Sequence, residues 1–226
     1  MEKRQEQLLE TIITQYIDTA QPVGSKAISE SKLFSLSSAT IRNEMAELEN
    51  AGFIFQPHTS AGRIPTESGY LYYVENLVKI ISIDKKTQNN LKNIIKAQKS
   101  IKDLAKGLAE NSHLAVFLGL EDKDYYYTGL ANLFHQPEFY QHELVYNISE
   151  VVDHLDEVIY NIFDEVCEPQ ILIGSKNPFS KFCSTVLTKF KSKKKKGLIG
   201  ILGPMRMDYQ SNLALIKYSE DLIKSL

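Results

Sequence analysis

The sequence predicts an α+β fold. Helices and a β-hairpin come first, a basic amphipathic helix follows, and an α/β domain completes the chain. Three observations predict it. Apolar residues recur at helical period from Leu8 to Leu48. A short apolar run and a tip bounded by Pro57 and Gly62 follow them. Beyond residue 113, short apolar runs alternate with amphipathic segments. With 226 residues, 43% hydrophobic and 24% charged, the chain can bury a core in one large or two small domains. The expected boundaries are 1–80, 81–112 and 113–226.

Composition excludes several classes. No apolar run approaches the ~20 residues of a membrane span. Met1-Glu2-Lys3-Arg4 leads into an amphipathic pattern and not into a signal sequence, which points to the cytoplasm. Cys167 and Cys183 lack CxxC spacing and are expected as idle thiols. His58, His113, His135, His142 and His154 form no HxxxH or HExxH pair, so no metal and no cofactor is expected. No catalytic constellation appears, and an enzyme is not expected. Gly200 to Pro204 lacks phosphate-loop spacing. His135 with Glu138 has no nucleophile beside it, and Arg206 with Asp208 is expected as a structural polar network.

The first helix runs from about Lys3 to Thr19, with Leu8, Leu9, Ile12, Ile13, Tyr16 and Ile17 as its apolar stripe. Pro22 and Gly24 end it. Ser25 can cap a short second helix with Ala27 and Ile28 inward. The third helix spans Ser37 to Gly52, capped by a serine and closed where a left-handed residue is common. Ile41, Met45 and Leu48 are its apolar stripe. Ala39, Asn43 and Ala46 lie opposite, flanked by Thr40, Arg42 and Glu47. A face of small residues beside one Asn and one Arg suits a DNA major groove, where Asn reads adenine and Arg reads guanine. An ordinary solvated face competes with that reading. Helix, short helix, turn, helix is the spacing of a helix-turn-helix.

Phe53-Ile54-Phe55 reads as a strand and Arg63-Ile64-Pro65 as its return, which makes a wing beside the third helix. Arg63, next to Gly62, is placed to enter a minor groove or hold a phosphate, and Thr59 and Ser60 to bind phosphate oxygens. Ser25, Lys26, Ser38, Thr40, Arg42 and Asn43 complete the candidate DNA-binding set. Charge is the opposing observation. Residues 1–80 carry 7 basic and 10 acidic side chains, which counts against tight non-specific DNA binding. Glu2, Glu6, Glu10 and Asp18 all fall on the first helix, away from the proposed reading face. Thr66 is expected to cap a further helix, with Tyr70, Leu71, Tyr73, Val74, Leu77 and Val78 buried.

The run from Ser37 to Val74, and most specifically Gln56 to Thr66 (QPHTSAGRIPT), resembles the N-terminal DNA-binding region of the heat-inducible transcription repressor HrcA family. Leu130 to Phe139 (LANLFHQPEF), Ile171 to Asn177 (ILIGSKN) and Gly197 to Gln210 (GLIGILGPMRMDYQ) resemble its later motifs in the same order. The resemblance implies a winged helix-turn-helix followed by a GAF-like α/β domain with a dimerising domain inserted in it. Only residues 113–129 precede the Leu130 motif, too few to hold that insertion, so a shortened member with a reduced GAF-like domain is expected. The resemblance further implies a homodimer on an inverted-repeat operator in double-stranded DNA upstream of chaperone operons. It implies activity maintained by the chaperonin GroEL and relieved by heat. The alternative is a ligand-sensing regulator whose C-terminal domain binds a small metabolite. A roomy apolar pocket there would favour the sensor, and a filled core the repressor.

Residues 81–112 carry 7 lysines and 3 acids and show one apolar stripe through Leu91, Ile94, Ile95, Ile101, Leu104, Ala105 and Leu108. This linker helix has three possible roles: packing on the C-terminal domain, pairing with a second subunit, or lying on phosphates or a membrane surface. Without the insertion it is the leading candidate for a dimer contact. In the last domain, strands are expected at 113–120, 125–129, 171–173 and 198–203. Helices are expected at 151–166 and 208–226. The lysine run from Lys191 to Lys196 is expected as a solvated hairpin or loop between a helix and a strand, with a DNA-touching patch as the alternative.

Overall fold

The computed structural model describes residues 1–31, 33–98, 100–121, 124–140, 151–193 and 195–225; His142, named above, lies outside them, as do Lys99 of the 81–112 stretch and Lys194 of the lysine run. The chain is a mixed helix-and-sheet protein with two compact units, Met1–Val78 and Lys79–Leu226.

The first unit holds helices α1 (Lys3–Thr19), α2 (Ser25–Glu30) and α3 (Ser38–Asn50), a hairpin of β1 (Ile54–Phe55) and β2 (Ile64–Pro65), and helix α4 (Glu67–Asn76). Leu8, Leu9, Ile12 and Ile13 of α1 are buried, as are Ile28, Ile41, Met45, Leu48 and Ile54. Ser37 caps α3 by accepting from the Thr40 amide at 3.1 Å. Gly52 closes it at φ +80°, a left-handed conformation that costs glycine nothing, while the Phe53 amide bonds the Leu48 carbonyl at 3.0 Å. Thr66 caps α4, which buries Tyr70 and Tyr73; Leu71, Val74, Leu77 and Val78 are only half-buried. Two small expectations for α2 differ. Its N-cap is Gly24 and not Ser25, and Ala27 is exposed while Ile28 alone of that pair is buried.

Residues 81–112 do not form one helix. They form α5 (Lys85–Gln98) and α6 (Ile101–Ser112), and both belong to the second unit. Ser100 restarts the chain as the N-cap of α6, accepting from the Asp103 amide at 3.3 Å. Leu91, Ile95, Leu104, Ala105 and Leu108 are buried, so the expected apolar stripe is the packed side of both helices.

The rest of this unit is a five-stranded antiparallel sheet. Its strands are β3 (Ala115–Leu120), β4 (Tyr125–Thr128), β5 (Gln170–Ile173), β6 (Cys183–Lys191) and β7 (Lys196–Pro204), in the order β4-β3-β7-β6-β5. Helices α7 (Leu130–Phe134), α8 (Leu155–Ile162) and α9 (Tyr209–Lys224) complete it, with a 3-10 turn at Pro137–Tyr140. β6 is the main correction to the expected elements. A strand, not a helix, leads into the lysine run, and β6 and β7 make a hairpin that ends at the Lys191–Lys196 pair. The run Cys183 to Phe190 is rich in β-branched residues and lies buried in the middle of the sheet, so it lacks the alternation that marks a half-exposed strand.

Side chains alternate between the two sheet faces. Ala115, Phe117, Cys183, Leu187, Leu198 and Leu202 join Leu133, Phe139, Leu155, Ile159, Ile162 and Phe179 in one apolar cluster. The Phe117 and Phe179 rings lie 4.6 Å apart. Both thiols are free; burial pushes the Cys183 thiol up to about 12, which leaves it unreactive.

Phe117 fills the centre of this layer at 2% exposure. Phe117→Ala is expected to cost about 3–5 kcal/mol of unfolding free energy in the second unit, measured by urea denaturation with circular dichroism.

Candidate nucleic-acid interface

Burial decides which side of α3 faces outward. Ile41, Met45 and Leu48 point into the first unit at 0%, 3% and 2% exposure. Ala39, Thr40, Arg42, Asn43, Ala46 and Glu47 are exposed. Glu47 is tied back by Gln5, whose amide donates at 2.8 Å. Arg42 and Asn43 have no hydrogen-bond or ion-pair partner among the described residues. The exposed face therefore holds two small residues, one unpaired amide side chain and one unpaired guanidinium.

The inner stripe also contains a carboxylate that the periodicity did not mark. Glu44 is 7% exposed and is ion-paired to Arg4 on α1. A buried carboxylate is tolerated when a cation and a hydrogen bond meet it. The pair ties α3 to α1 through one carboxylate oxygen.

Five of the nine candidate residues meet around one cleft. A hollow of about 560 Å³ is lined by Ser25, Lys26, Arg42, Ser60 and Arg63, with Met45, Gln56 and Gly62 among the rest of its wall. Ser38 supports it from behind, with its hydroxyl 3.1 Å from that of the buried Ser25. Lys26 is exposed and only loosely paired with Glu30, at 3.8 Å. Thr40 and Asn43 continue the exposed face of α3 beyond this cleft, and Thr40 is bonded to the Ser37 cap. Thr59 stands exposed on the hairpin tip, next to Ser60 at φ +69°. Hydroxyls, a lysine and a guanidinium around a concave surface can receive phosphate oxygens.

Arg63 sits differently from its expected place. It is the last residue of the hairpin loop, directly before β2, and its backbone pairs with Val23 through bonds of 2.9 and 2.8 Å. Its Nε donates to Glu49 Oε2 at 2.9 Å, and its Nη2 lies 2.8 Å from the same oxygen. The other Glu49 oxygen accepts from the Gln56 amide at 3.0 Å. Glu49, on the last turn of α3, thus clamps both arms of the hairpin. Gly62 is required here, because a Cβ would lie 2.4 Å from the Val23 carbonyl carbon. Glu49 and Gln56 were not singled out in the sequence. The available signal was a lone arginine in the hairpin with acids on the helix before it.

The motif residues of the second unit form structural bonds. Arg206 Nε donates to Glu138 at 2.6 Å and its Nη2 to Gln136 at 3.0 Å. Asp208 caps α9 by accepting from the Ser211 amide at 3.0 Å. Asn177 accepts from the buried Thr185 hydroxyl at 3.0 Å, and the Tyr209 and Ser184 hydroxyls lie 2.9 Å apart. Glu138 is therefore held by Arg206 and not by His135.

Comparison with known proteins gives a family. The model of the HrcA protein C-terminal domain matches residues 73–212. A heat-inducible transcription repressor HrcA of Ligilactobacillus salivarius is 52% identical over 92 residues, covering 41% of this chain and 26% of that protein. One from Acetivibrio thermocellus is 53% identical over 79 residues, 35% of this chain and 22% of that protein. These stretches span about a quarter of those relatives' length. One from Thermoanaerobacter aligns over 316 residues at 29% identity, covering 93% of this chain and 92% of that protein. That alignment is longer than the 226-residue chain, so a substantial stretch of that relative has no counterpart here. A solved structure described as a hypothetical protein at 2.2 Å resolution has the same fold, with TM-score 0.83 at 18% identity over 100% of this chain and 98% of the other.

The Glu49 clamp generates a test. Glu49→Ala is expected to lower the stability of the first unit by about 1–2 kcal/mol, since it strands a charged donor and one amide. Hydrogen exchange at the Gln56 and Arg63 amides is expected to accelerate more than that of the α1 amides.

Proposed function

The chain belongs to the HrcA family of transcription repressors, and from that premise we propose that it represses by binding double-stranded DNA through the outer face of α3. The first unit is read as a winged helix-turn-helix, with α2 and α3 as the helix pair and β1–β2 as the wing. The observation that carries the reading is the outer face of α3 itself. Asn43 and Arg42 stand exposed and unpaired beside Ala39 and Ala46, so a groove edge can approach closely and be hydrogen-bonded. Lys26, Ser60 and the cleft they line lie on that same unit and supply contacts for flanking phosphates. Thr40 and Thr59 extend that set, and Ser25 and Ser38 position it.

Arg63 takes a different part in this proposal from the one its sequence position suggests. With its guanidinium on Glu49, it fixes the wing against α3 and serves as a positioning residue first.

The second unit, with its sheet order and helices on both faces, is read as the reduced GAF-like domain. Its described apolar layer is filled by Phe117, Phe179, Phe139 and Leu187, which favours the repressor over the metabolite sensor. A repressor on an inverted repeat acts as a two-fold dimer, with half-sites a whole number of turns of about 10–10.5 bp apart. Regulation of chaperone operons, maintenance by GroEL and a cytoplasmic location belong to the same proposal and rest on family membership. Among the described residues no helix is long and apolar enough to cross a membrane.

Arg42→Ala and Asn43→Ala are each expected to cost about 1–3 kcal/mol on a duplex selected by the parent chain and much less on a shuffled duplex. Fluorescence anisotropy with both duplexes measures this. Equal losses on the two would remove direct readout from the account.

A further inference from the structure

We infer that the lysine and asparagine face of α5 binds the phosphate backbone of DNA beside the sequence read by α3; this rests on the DNA-binding reading above. The first unit carries more acids than bases, so it lacks the charge that phosphate attraction normally demands. The missing charge is at hand in the next helix. Between Lys85 and Gln98, α5 contains four lysines (Lys85, Lys86, Lys92 and Lys96) and no acid. All four are exposed, with Asn89, Asn90 and Asn93 exposed between them. None of the four is in an ion pair among the described residues, whereas Lys102 and Lys106 of α6 are paired with Asp124 and Asp103. The closest acid in sequence, Asp84, is engaged with the amides of Lys86 and Thr87 at 2.9 and 3.1 Å.

Geometry and side-chain chemistry select the partner. From Lys85 to Lys96 the helix rises about 17 Å at ~1.5 Å per residue, the axial length of about five nucleotides of one DNA strand. Lysine acts as a point charge toward phosphate, and the asparagines between add neutral donors. A helix that lies on a membrane keeps apolar side chains for the lipid. Here Leu91 and Ile95 are buried at 0% and 5% exposure, and the described residues left exposed are polar apart from Ala97. Connection favours DNA as well. Only residues 79–84 join α5 to the first unit, and six residues span at most about 22 Å.

The test uses the full chain and a quadruple Lys→Gln variant at 85, 86, 92 and 96, with a Lys→Arg variant at the same positions. Binding to a duplex selected by the parent chain and to a shuffled duplex is measured over a range of salt. The expected result is a flattening of log K against log salt by roughly 0.9 for each lysine seated on a phosphate, up to about 3.6 in all. The ratio of selected to shuffled affinity is expected to stay constant, and the arginine variant to keep the parent slope. An unchanged slope in the glutamine variant overturns the inference and leaves the reading of α3 standing. Equal flattening in the arginine variant overturns it too, because charge is retained there. Loss of binding to phosphatidylglycerol vesicles with no change on DNA assigns the face to a membrane and overturns it. A parent chain that selects no duplex overturns both proposals.

Discussion

The account depends on how α3 is seated. Ile41, Met45 and Leu48 are removed from water beneath it, and burial of side chains of this size is worth about 1.5–3 kcal/mol each. That energy fixes which residues face out. The Glu44–Arg4 pair adds a polar tie between α3 and α1. Glu49 then uses the far end of the same helix to hold the hairpin. One helix therefore sets both the reading face and the wing beside it, and three of its acids (Glu44, Glu47 and Glu49) are spent on internal bonds.

Much of this was legible in the sequence. The bounds of α1, the cap and close of α3 and the hairpin after it follow from periodicity and turn chemistry. So does the apolar stripe of residues 81–112. What the sequence hid has physical causes. Glu44 falls on the buried stripe, and a pattern of apolar residues does not mark an acid whose cation lies forty residues away on α1. Arg63 reads as a tip residue by its distance from Gly62, but it directly precedes the paired Ile64–Pro65 and its own backbone pairs with Val23. The break between α5 and α6 leaves the apolar period almost intact, so only the Ser100 cap shows it. β6 was missed because a strand buried on both sides carries no alternation.

The two units differ in how their polar residues are used. In the second unit the motif side chains bond one another: Arg206 to Glu138 and Gln136, Asn177 to Thr185, and Tyr209 to Ser184. The Arg206 and Tyr209 bonds join segments far apart in sequence. In the first unit the exposed side chains of Arg42 and Asn43 on α3 have no side-chain partner among the described residues. Polar residues that satisfy each other build a scaffold, and polar residues left unsatisfied on a rigid, solvent-facing helix are available to a partner.

The most direct test of the central claim is a backbone-amide NMR titration of the full chain with a duplex that it selects from random sequence. The account predicts that the largest shifts fall at residues 38–43 of α3 and 58–62 of the hairpin tip, while the amides of β6 and β7 stay in place. Shifts confined to the second unit, with α3 unmoved at saturation, would contradict it.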